Sequence, residues 1–464
     1  MTDLSTEVTG TVEPATRALA DWLANLRYED LSAETRRQAR LSLVDYLGCA
    51  LLGSTRKQAK QLFDLVEQLG GAPQATVIGW GHKTSVPHAG LVNGVLGSAS
   101  LLLEDTAAES FAHPGVNVVP AALAAAEYVS ATGADLLLGI VAGYEVSMRV
   151  GAAAGWRTFK KGWHPRGAFN VFGAAAAAGK LLGLTTSDQF CAALGLAGTQ
   201  ASGLVEPSSP YDGWLLLSGS GAQDGVMAAL LARQGWSAGC TVIKGPRGYL
   251  KAVAATPRPE RILEGLGDRF EISSITRKRH ASSSLTHSAI DLILELKAQH
   301  NLTPQTIEAI DVRTIDVHYL LEKHWPQARL EGPHSLPYLL AVAFLDGEVL
   351  DPQFEPRRRE DLRVRYLFDR VSVVADEEMT AQLPGRLPTR IVITLKDGRV
   401  LEGYRAYPKG DPRDPLTVDE LRTKFYRLGG VVLSEERLGQ VWSWIESADE
   451  QPSVLGLTDL LVGD

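Results

Sequence analysis

The stretch PAALAAAEYVSATGADLLLGIVAGYEVSMRVG at residues 120–151 decides the fold class of this chain. Its apolar residues recur at helical intervals, which predicts one helix over 120–133 and a second over 134–151. Alanine and glycine are so frequent in both that neighbouring helix axes have room to approach closely. The stretch therefore predicts a densely packed helical core.

The same pattern extends from about residue 15 to about residue 265. Further helices are predicted over 31–53, where Ser32 is the N-cap, over 167–184 and over 223–235. We expect one large all-helical domain over residues 1–268.

The pattern changes near residue 270, where short segments begin to alternate apolar and polar residues. Asp397-Gly398 separates two such runs, which is typical of a hairpin. Strands are predicted over 307–316, 370–376 and 389–407, and helices over 287–300 and 335–347. We expect a smaller α+β domain over residues 269–408, which makes the fold class mainly α.

A capping-box pair, Thr417 and Glu420, predicts that the chain ends in helices. We expect these helices, over residues 409–464, to pack back on the helical domain.

Composition narrows the classes of function. A net charge of −8 argues against a nucleic-acid binder and against attachment to an anionic membrane surface. No uninterrupted apolar run approaches the length of a membrane-spanning helix, and the N-terminus lacks the basic and apolar regions of a secretion signal. We therefore expect a cytoplasmic protein.

The cysteines, Cys49, Cys191 and Cys240, are odd in number and far apart. Their spacing fits neither a disulfide framework nor a zinc or iron–sulfur site. We expect three buried thiols and no metal.

The run LLLSGSGAQDGVMAALL at 215–231 has the glycines of a dinucleotide-binding loop at first sight. Gly219, Gly221 and Gly225 follow GxGxxxG rather than GxGxxG, and no acidic residue ends a second strand about twenty positions on. We interpret these glycines as helix packing and a turn, and keep a nucleotide-dependent oxidoreductase as a minor alternative.

The stretch FAHPGVNVVP at 111–120 sets His113 directly before a proline, which holds the residue at a stiffened element boundary. Glu104, Asp105 and Thr106 lie seven to nine residues upstream, close enough to share a pocket with it. The alternative is a solvated acidic helix end beside a loop histidine.

A second histidine before proline, His164, lies in KKGWHPRG at 160–167. Arg157, Lys160, Lys161 and Arg166 surround it in sequence, and flanking cations lower an imidazole pKa and attract anions. The alternative is a basic surface loop.

A third cluster, RKRHASSSLTH at 277–287, places Lys278 and His280 before three serines and His287 at a helix start. Cations, hydroxyls and the N–H groups of a helix N-terminus form a carboxylate or phosphate site. The alternative is a serine-rich linker in which His287 caps the helix.

Taken together, the three histidine clusters indicate proton transfer on a small anionic molecule. Removing a proton α to a carboxylate places negative charge on the carboxylate oxygens. Arginine and lysine stabilise that charge while a histidine moves the proton.

The chain resembles the MmgE/PrpD family from about residue 15 to 460. The resemblance implies a large helical domain, a smaller α+β lid domain, a homodimer and an active site between the domains. Family activities are those of 2-methylcitrate dehydratase, cis-aconitate decarboxylase and iminodisuccinate epimerase, which act on polycarboxylates without metal or organic cofactor. The segments that carry the resemblance are 113–151, 162–184, 278–291 and 408–425.

The resemblance also implies site residues. His113, His164 and His287 match family active-site histidines, Asp105 and Thr106 an acidic-threonine element, and Lys278 and His280 a motif beside the substrate carboxylates.

Two segments depart from the family pattern. Where the family has Lys-x-Leu-His-x-Gly, this chain has Trp214 at the lysine and Leu217 at the histidine. Where dehydratase-like and decarboxylase-like members have Asp-Phe-Asp-Asp-Thr, the chain has Leu-Leu-Glu-Asp-Thr, so that Leu102 replaces a carboxylate. Losing a cation weakens the binding of a tricarboxylate more than that of a dicarboxylate.

We therefore expect a cofactor-independent lyase, similar to 2-methylcitrate dehydratase, that removes an α-proton from a small polycarboxylate. His164 or His113 is the expected base, Asp105 a further catalytic group, and His287, Arg166 and Lys278 bind carboxylate oxygens, with Thr106, Trp214 and His280 beside them. The alternatives are an epimerase of an amino- or imino-dicarboxylate and an inactive carboxylate-binding protein.

Overall fold

The chain is mainly α-helical with one small mixed sheet, and the computed structural model describes residues 14–207 and 211–463. The prediction about a secretion signal concerns the N-terminus, of which residues 1–13 lie outside the described residues. The first helices are α1 (Pro14–Asn25), α2 (Ala33–Ser54), α3 (Lys57–Leu69), α4 (Val86–Ser98), α5 (Gly115–Tyr128), α6 (Gly133–Ala154), α7 (Pro165–Ala168), α8 (Asn170–Leu181), α9 (Ser187–Gln200), α10 (Gly213–Arg233) and α11 (Tyr249–Val253).

Sequence periodicity located α2, α5, α6, α8 and α10, and α5 and α6 correspond to the two helices predicted from 120–151. Ser32 caps α2 as predicted, because its hydroxyl accepts a hydrogen bond from Thr35 N at 3.0 Å. The helix predicted over 167–184 is divided at Phe169 into α7 and α8. Helix α10 begins at Gly213 rather than at 223, because its glycines belong to the helix and form no turn.

Glycines set the spacing of the central helices. A Cβ on Gly143 of α6 would lie 2.9 Å from Gly173 O of α8, and one on Gly219 of α10 would lie 2.5 Å from Leu91 O of α4. A Cβ on Gly225 would lie 2.7 Å from Ala175 N. The predicted close packing is confirmed, and the dinucleotide alternative is wrong because these glycines lie inside one helix.

The later part of the chain forms a four-stranded sheet of β5 (Ile307–Thr314), β6 (Val371–Ala375), β7 (Thr389–Leu395) and β8 (Val400–Arg405). Its order is β6-β5-β7-β8, in which β5 and β6 are parallel and the other pairs antiparallel. Asp397-Gly398 joins β7 and β8 as predicted, with Gly398 at φ 85°. The other strands are β1 (Ala75–Thr76), β2 (Lys83–Thr84), β3 (Thr106–Ala107) and β4 (Ile275–Thr276).

The remaining helices lie around this sheet and at the end of the chain. Thr417 and Glu420 form the predicted capping box at the start of α18, where each side chain accepts from the other residue's backbone N–H. These helices are α12 (His287–His300), α13 (His318–Leu321), α14 (Leu336–Asp346), α15 (Pro356–Arg359), α16 (Leu362–Asp369), α17 (Glu377–Thr380), α18 (Val418–Gly429), α19 (Glu435–Glu446) and α20 (Leu455–Leu460).

Buried apolar side chains form two large groups. The first joins the helices of the first part of the chain to residues of α18, α19 and α20, including Phe425 and Trp442. The second joins the sheet to α12, α14 and α16, and takes in Leu101 and Leu103 from the first part of the chain. This partition follows the expected order of segments, while the domain boundaries themselves stay a prediction.

Strands β3 and β4 form a two-residue antiparallel ladder between the first part of the chain and the later part. Thr106 of β3 pairs with Thr276 of β4 in antiparallel register. The loop before β3 and the segment after β4 therefore lie side by side, which brings together two of the clusters that the sequence singled out.

Two expectations need correction or comment. Cys191 and Cys240 form a disulfide and only Cys49 is a free, buried thiol, so the expectation of three free cysteines is wrong. Among the described residues, α6 and α10 are long and apolar enough to cross a membrane, but 94% and 61% of their apolar windows are buried inside the fold. Such burial is typical of core helices.

Candidate active site

The loop between α4 and α5 carries the acidic residues of the site. Leu101 and Leu102 have φ values of 61° and 63°, a left-handed conformation that residues with a Cβ seldom adopt. Glu104 and Asp105 follow and are only 1% and 3% exposed. Leu102 O accepts a hydrogen bond from Lys278 Nζ at 3.0 Å, so the strained backbone is tied to a buried cation.

Glu104 lies at the centre of the site. Its Oε1 forms an ion pair with Arg166 Nη2, and both side chains are 1% exposed. The same oxygen lies 3.7 Å from His113 Nδ1 and 3.9 Å from Lys278 Nζ. Glu104 Oε2 is buried and has no hydrogen-bond partner among the described residues. Nitrogen atoms of three side chains therefore lie within 4 Å of Oε1, while Oε2 has no hydrogen-bond partner in the described part of the chain.

The contacts of His113 fix the orientation of its ring. Its Nδ1 lies 2.7 Å from Asp105 O and 2.8 Å from Thr106 Oγ1. Because a carbonyl can only accept, we assign the ring hydrogen to Nδ1, which leaves a lone pair on Nε2. Burial, then the charge of Lys278, lowers the pKa of His113 well below its usual value. This ring is therefore suited to accept a proton at Nε2.

His164 has the opposite arrangement. It is the N-cap of α7, and its Nδ1 accepts a hydrogen bond from Arg166 N at 3.3 Å. The ring hydrogen of the neutral form is therefore assigned to Nε2, which can donate. Burial lowers the pKa of His164 to about 4.

The cations that flank His164 in sequence do not cause this shift. Arg157, Lys160 and Lys161 are exposed, and the first two lie against the Trp156 ring, each 5.4 Å from its centroid. The predicted direction of the pKa shift agrees with the structure, but the predicted cause is wrong, because burial lowers the pKa.

Asp105 contacts the turn that follows His113. Its Oδ2 accepts from the Tyr144 hydroxyl at 2.5 Å, and its Oδ1 accepts from Gly115 N at 3.1 Å. Burial raises the pKa of Asp105 to about 6. In this arrangement the carboxyl group orients the backbone beside His113.

Arg166 and Trp214 form a stacked pair. The guanidinium carbon lies 4.5 Å from the centroid of the indole ring. Trp214 is 5% exposed, and burial lowers the pKa of Arg166 to about 9. Neither Arg166 Nε nor Trp214 Nε1 has a hydrogen-bond partner in the described part of the chain. Trp214 is thus both a core residue and a neighbour of the central cation.

Lys278 connects the site to the residues after β4. Burial, then the charge of Arg166, lowers its pKa well below the usual value. Its own charge contributes to the lowered pKa values of His113, His287 and His334. The charge of Lys278 therefore acts on all three histidine rings.

His280 and His287 lie beside Lys278 as a stacked pair whose ring centroids are 5.2 Å apart. His280 Nε2 lies 3.0 Å from Asp291 Oδ1, an ion pair if the ring is protonated. His287 Nε2 lies 3.3 Å from Ser282 O, while its buried Nδ1 has no partner among the described side chains and backbone. Burial, followed by electrostatic interaction with His280 and Lys278, holds the pKa of His287 well below its usual value.

Sequence reasoning missed three side chains here. Glu104 was assigned only a shared pocket with His113, yet it is the centre of the ion-pair cluster. Burial, then the charge of Lys278, lowers the pKa of His334 to about 4, and its ring lies 5.4 Å from that of Tyr319. The Tyr319 hydroxyl lies 2.7 Å from Ser283 Oγ. No local motif marks His334 or Tyr319, because the fold alone brings them here.

No group of three or more His, Cys, Asp or Glu side chains suited to a metal ion occurs within residues 14–207 and 211–463. The side chains described above can transfer protons through imidazole and stabilise negative charge through Arg166 and Lys278.

Residues 17–262 match the MmgE/PrpD N-terminal domain, and residues 280–444 match the MmgE/PrpD C-terminal domain. The chain belongs to the MmgE/PrpD family. Among its relatives is the cis-aconitate decarboxylase-like protein oryM of Aspergillus oryzae, 29% identical and aligned over 97% of each chain. The cis-aconitate decarboxylase of Aspergillus terreus is 26% identical over 96% of this chain and 95% of its own. The 2-methylcitrate dehydratase of Cupriavidus necator is 24% identical over 45% of this chain and 46% of its own.

In this MmgE/PrpD protein, most of the residues expected in the site share one neighbourhood. Glu104 joins His113, Arg166 and Lys278, Thr106 contacts His113, and Trp214 stacks on Arg166. His287 interacts electrostatically with His280 and Lys278, and the Asp105 carboxyl group faces Tyr144. The roles assigned to these residues stay predictions.

Proposed function

We propose that the chain is a cofactor-independent lyase that removes a proton α to a carboxylate of a small anionic acid, with dehydration as its reaction. The observation that carries the proposal is the placement of His113, a half-buried ring whose Nδ1 faces the Asp105 carbonyl and leaves Nε2 to act as a base, near the buried side chains of Arg166 and Lys278. This set combines a base with two groups that stabilise the charge it creates.

In the proposed reaction, His113 Nε2 takes the α-proton as the C–H bond breaks. The electron pair forms the carbon–carbon double bond while the bond to the hydroxyl breaks. The imidazolium of His113 returns its proton to the leaving oxygen, so that water departs and the ring is neutral again. Lys278 binds the carboxylate next to the departing proton, Arg166 binds the carboxylate next to the hydroxyl, and His164 donates from Nε2 to a carboxylate oxygen.

The charges favour a substrate with two carboxylates over one with three. Arg166 already shares its charge with Glu104, and a tryptophan stands where the family pattern has a lysine. Glu104 offsets part of the charge of the two buried cations, Arg166 and Lys278, which leaves less positive charge for a third carboxylate.

Two other reactions of the same site have support. The relatives aligned over almost the whole chain are named as cis-aconitate decarboxylases or similar proteins, which favours loss of CO₂ in place of water. Epimerisation needs proton carriers on two faces of the substrate. His113 and His287 come from separate parts of the chain, and the charge of Lys278 acts on both rings.

We also propose the assembly that the resemblance implies. A helical part over 1–268, a lid over 269–408 and returning helices over 409–464 would close on a substrate between Arg166 and Lys278. We further propose a cytoplasmic homodimer. Light scattering of the purified protein tests the dimer, and fractionation of the native cell tests the location.

Solvent deuterium exchange tests the proposal. The folded protein is incubated in D₂O with a panel of hydroxy-, amino- and unsaturated di- and tricarboxylates, and products are read by NMR and mass spectrometry. We expect an α-proton to exchange and water to be lost from at least one acid. Binding without exchange or turnover on any acid would contradict the proposal and favour an inactive carboxylate-binding protein.

A further inference from the structure

Glu104 presents an unusual free acceptor inside the site. Its Oε1 is committed to Arg166, with His113 and Lys278 within 4 Å, but its Oε2 is buried and has no hydrogen-bond partner among the described residues. A buried acceptor without a donor costs free energy, and a carboxylate oxygen, being ionised, costs more than a neutral group. Such an atom is poised to accept a hydrogen bond from a ligand.

The neighbouring cation has a matching free donor. Arg166 Nε is buried and unpartnered in the described part of the chain, although Arg166 Nη2 is paired with Glu104. A free donor and a free acceptor thus belong to the two members of one ion pair. A ligand that carries a carboxylate next to a hydrogen-bond donor can satisfy both at once.

We propose that Glu104 determines specificity by accepting a hydrogen bond from a substrate hydroxyl at Oε2, while Arg166 Nε donates to the adjacent carboxylate. Both groups then recognise one 2-hydroxycarboxylate, the class of acid that the proposed dehydration consumes. This inference rests on the proposed function and adds the recognition of the hydroxyl group.

A hydroxyl fits this position better than an ammonium. Lys278 Nζ lies 3.9 Å from Glu104 Oε1, and the Arg166 guanidinium contacts the same oxygen. A third positive group on the ligand would be repelled by both. A hydroxyl donates without adding charge, which disfavours amino-dicarboxylates at this subsite.

Calorimetric titration with matched acids tests the inference on the unmodified protein. The pairs are citramalate against 2-methylsuccinate and citrate against tricarballylate, which differ only by the hydroxyl. We expect each hydroxy acid to bind about 10-fold or more tightly than its deoxy partner, as for a hydrogen bond to a charged group. Equal affinity within both pairs would overturn the proposal without any variant.

Substitution assigns the effect to Glu104. In Glu104→Gln the amide oxygen can remain on Arg166 while the NH₂ replaces Oε2, so the preference for the hydroxy acid should fall to within about 3-fold. Glu104→Asp is the second variant should Glu104→Gln fail to fold, and it should lower the same ratio. Glu109→Gln is the matched control, because Glu109 lies in the same loop but is 42% exposed and pairs with Arg258 and Arg261. An unchanged ratio in a folded Glu104 variant would also overturn the assignment.

The result separates this inference from the proposed function. Deuterium exchange on acids without any preference for the hydroxyl would leave the lyase standing and remove the role of Glu104. A preference for the hydroxyl without exchange or turnover would leave the recognition standing and remove the lyase.

Discussion

Removing either partner of the Arg166–Glu104 ion pair is expected to destabilise the fold, and by unequal amounts. Each side chain is 1% exposed, so water cannot solvate the charge that is left behind. In Arg166→Met, Glu104 keeps Lys278 at 3.9 Å, and the free energy of unfolding should fall by about 3 kcal/mol. In Glu104→Leu, Arg166 and Lys278 remain as two like charges, and the loss should reach about 5 kcal/mol.

The double variant Arg166→Met/Glu104→Leu should recover most of this loss, to within about 2 kcal/mol of the native protein, because apolar residues can replace a buried ion pair at little cost. It should nevertheless be inactive. Urea unfolding followed by circular dichroism, under conditions of demonstrated refolding, measures the four proteins. The coupling of these charges would be refuted if the free energy of unfolding fell by less than about 1 kcal/mol in both single variants. It would also be refuted if the loss in the double variant equalled the sum of the two single losses.

The remaining predictions concern pH and the stacked tryptophan. The acidic limb of kcat/KM should lie below pH 6.5, because burial and Lys278 hold the pKa of His113 below that usual value and the neutral ring is the active form; a limb above neutrality in the pH–rate profile would exclude this histidine as the free-enzyme base. Burial raises the pKa of Asp105 from 3.8 to about 6, so the folded state keeps a proton that the unfolded state releases between these values. Relative to Asp105→Asn, the native protein should therefore lose about 2–3 kcal/mol of stability as the pH rises from 4 to 6, and parallel stability curves in urea would contradict this. Trp214→Lys places an ammonium beside Arg166, so it should lower the unfolding temperature of the free protein and strengthen tricarboxylate binding by about 10-fold or more. An unchanged ligand profile in a protein of unchanged stability would show that this segment is wrongly aligned.

Much of the fold was readable from local patterns. Small residues at helical spacing predicted α5 and α6, and Asp397-Gly398 predicted the hairpin between β7 and β8. The start of α10 and the Cys191–Cys240 disulfide were missed. Both depend on what packs against the segment: a glycine that admits a neighbouring helix looks like a turn in sequence, and two cysteines 49 residues apart carry no local sign of pairing.

The site was readable only in part, for a similar reason. His113 and His164 each precede a proline, a local pattern that sequence displays. The ion pair of Glu104 with Arg166 spans 62 residues, and the proximity of His334 to Lys278 is created by the fold. Burial lowers the pKa of His164, and burial is produced by the fold rather than by the neighbouring sequence. The flanking cations therefore predicted the correct direction of the pKa shift but not its cause.

The central claim is that His113 takes the α-proton, and solvent exchange in single variants tests it most directly. Exchange is measured by NMR in D₂O on the best acid of the panel for the native protein, for His113→Gln, and for His318→Gln as the control, whose side chain is 94% exposed. We expect His113→Gln to slow exchange by about 10²–10⁴-fold and His318→Gln to leave it unchanged. Exchange in a folded His113→Gln protein within a few-fold of the native rate would contradict the account.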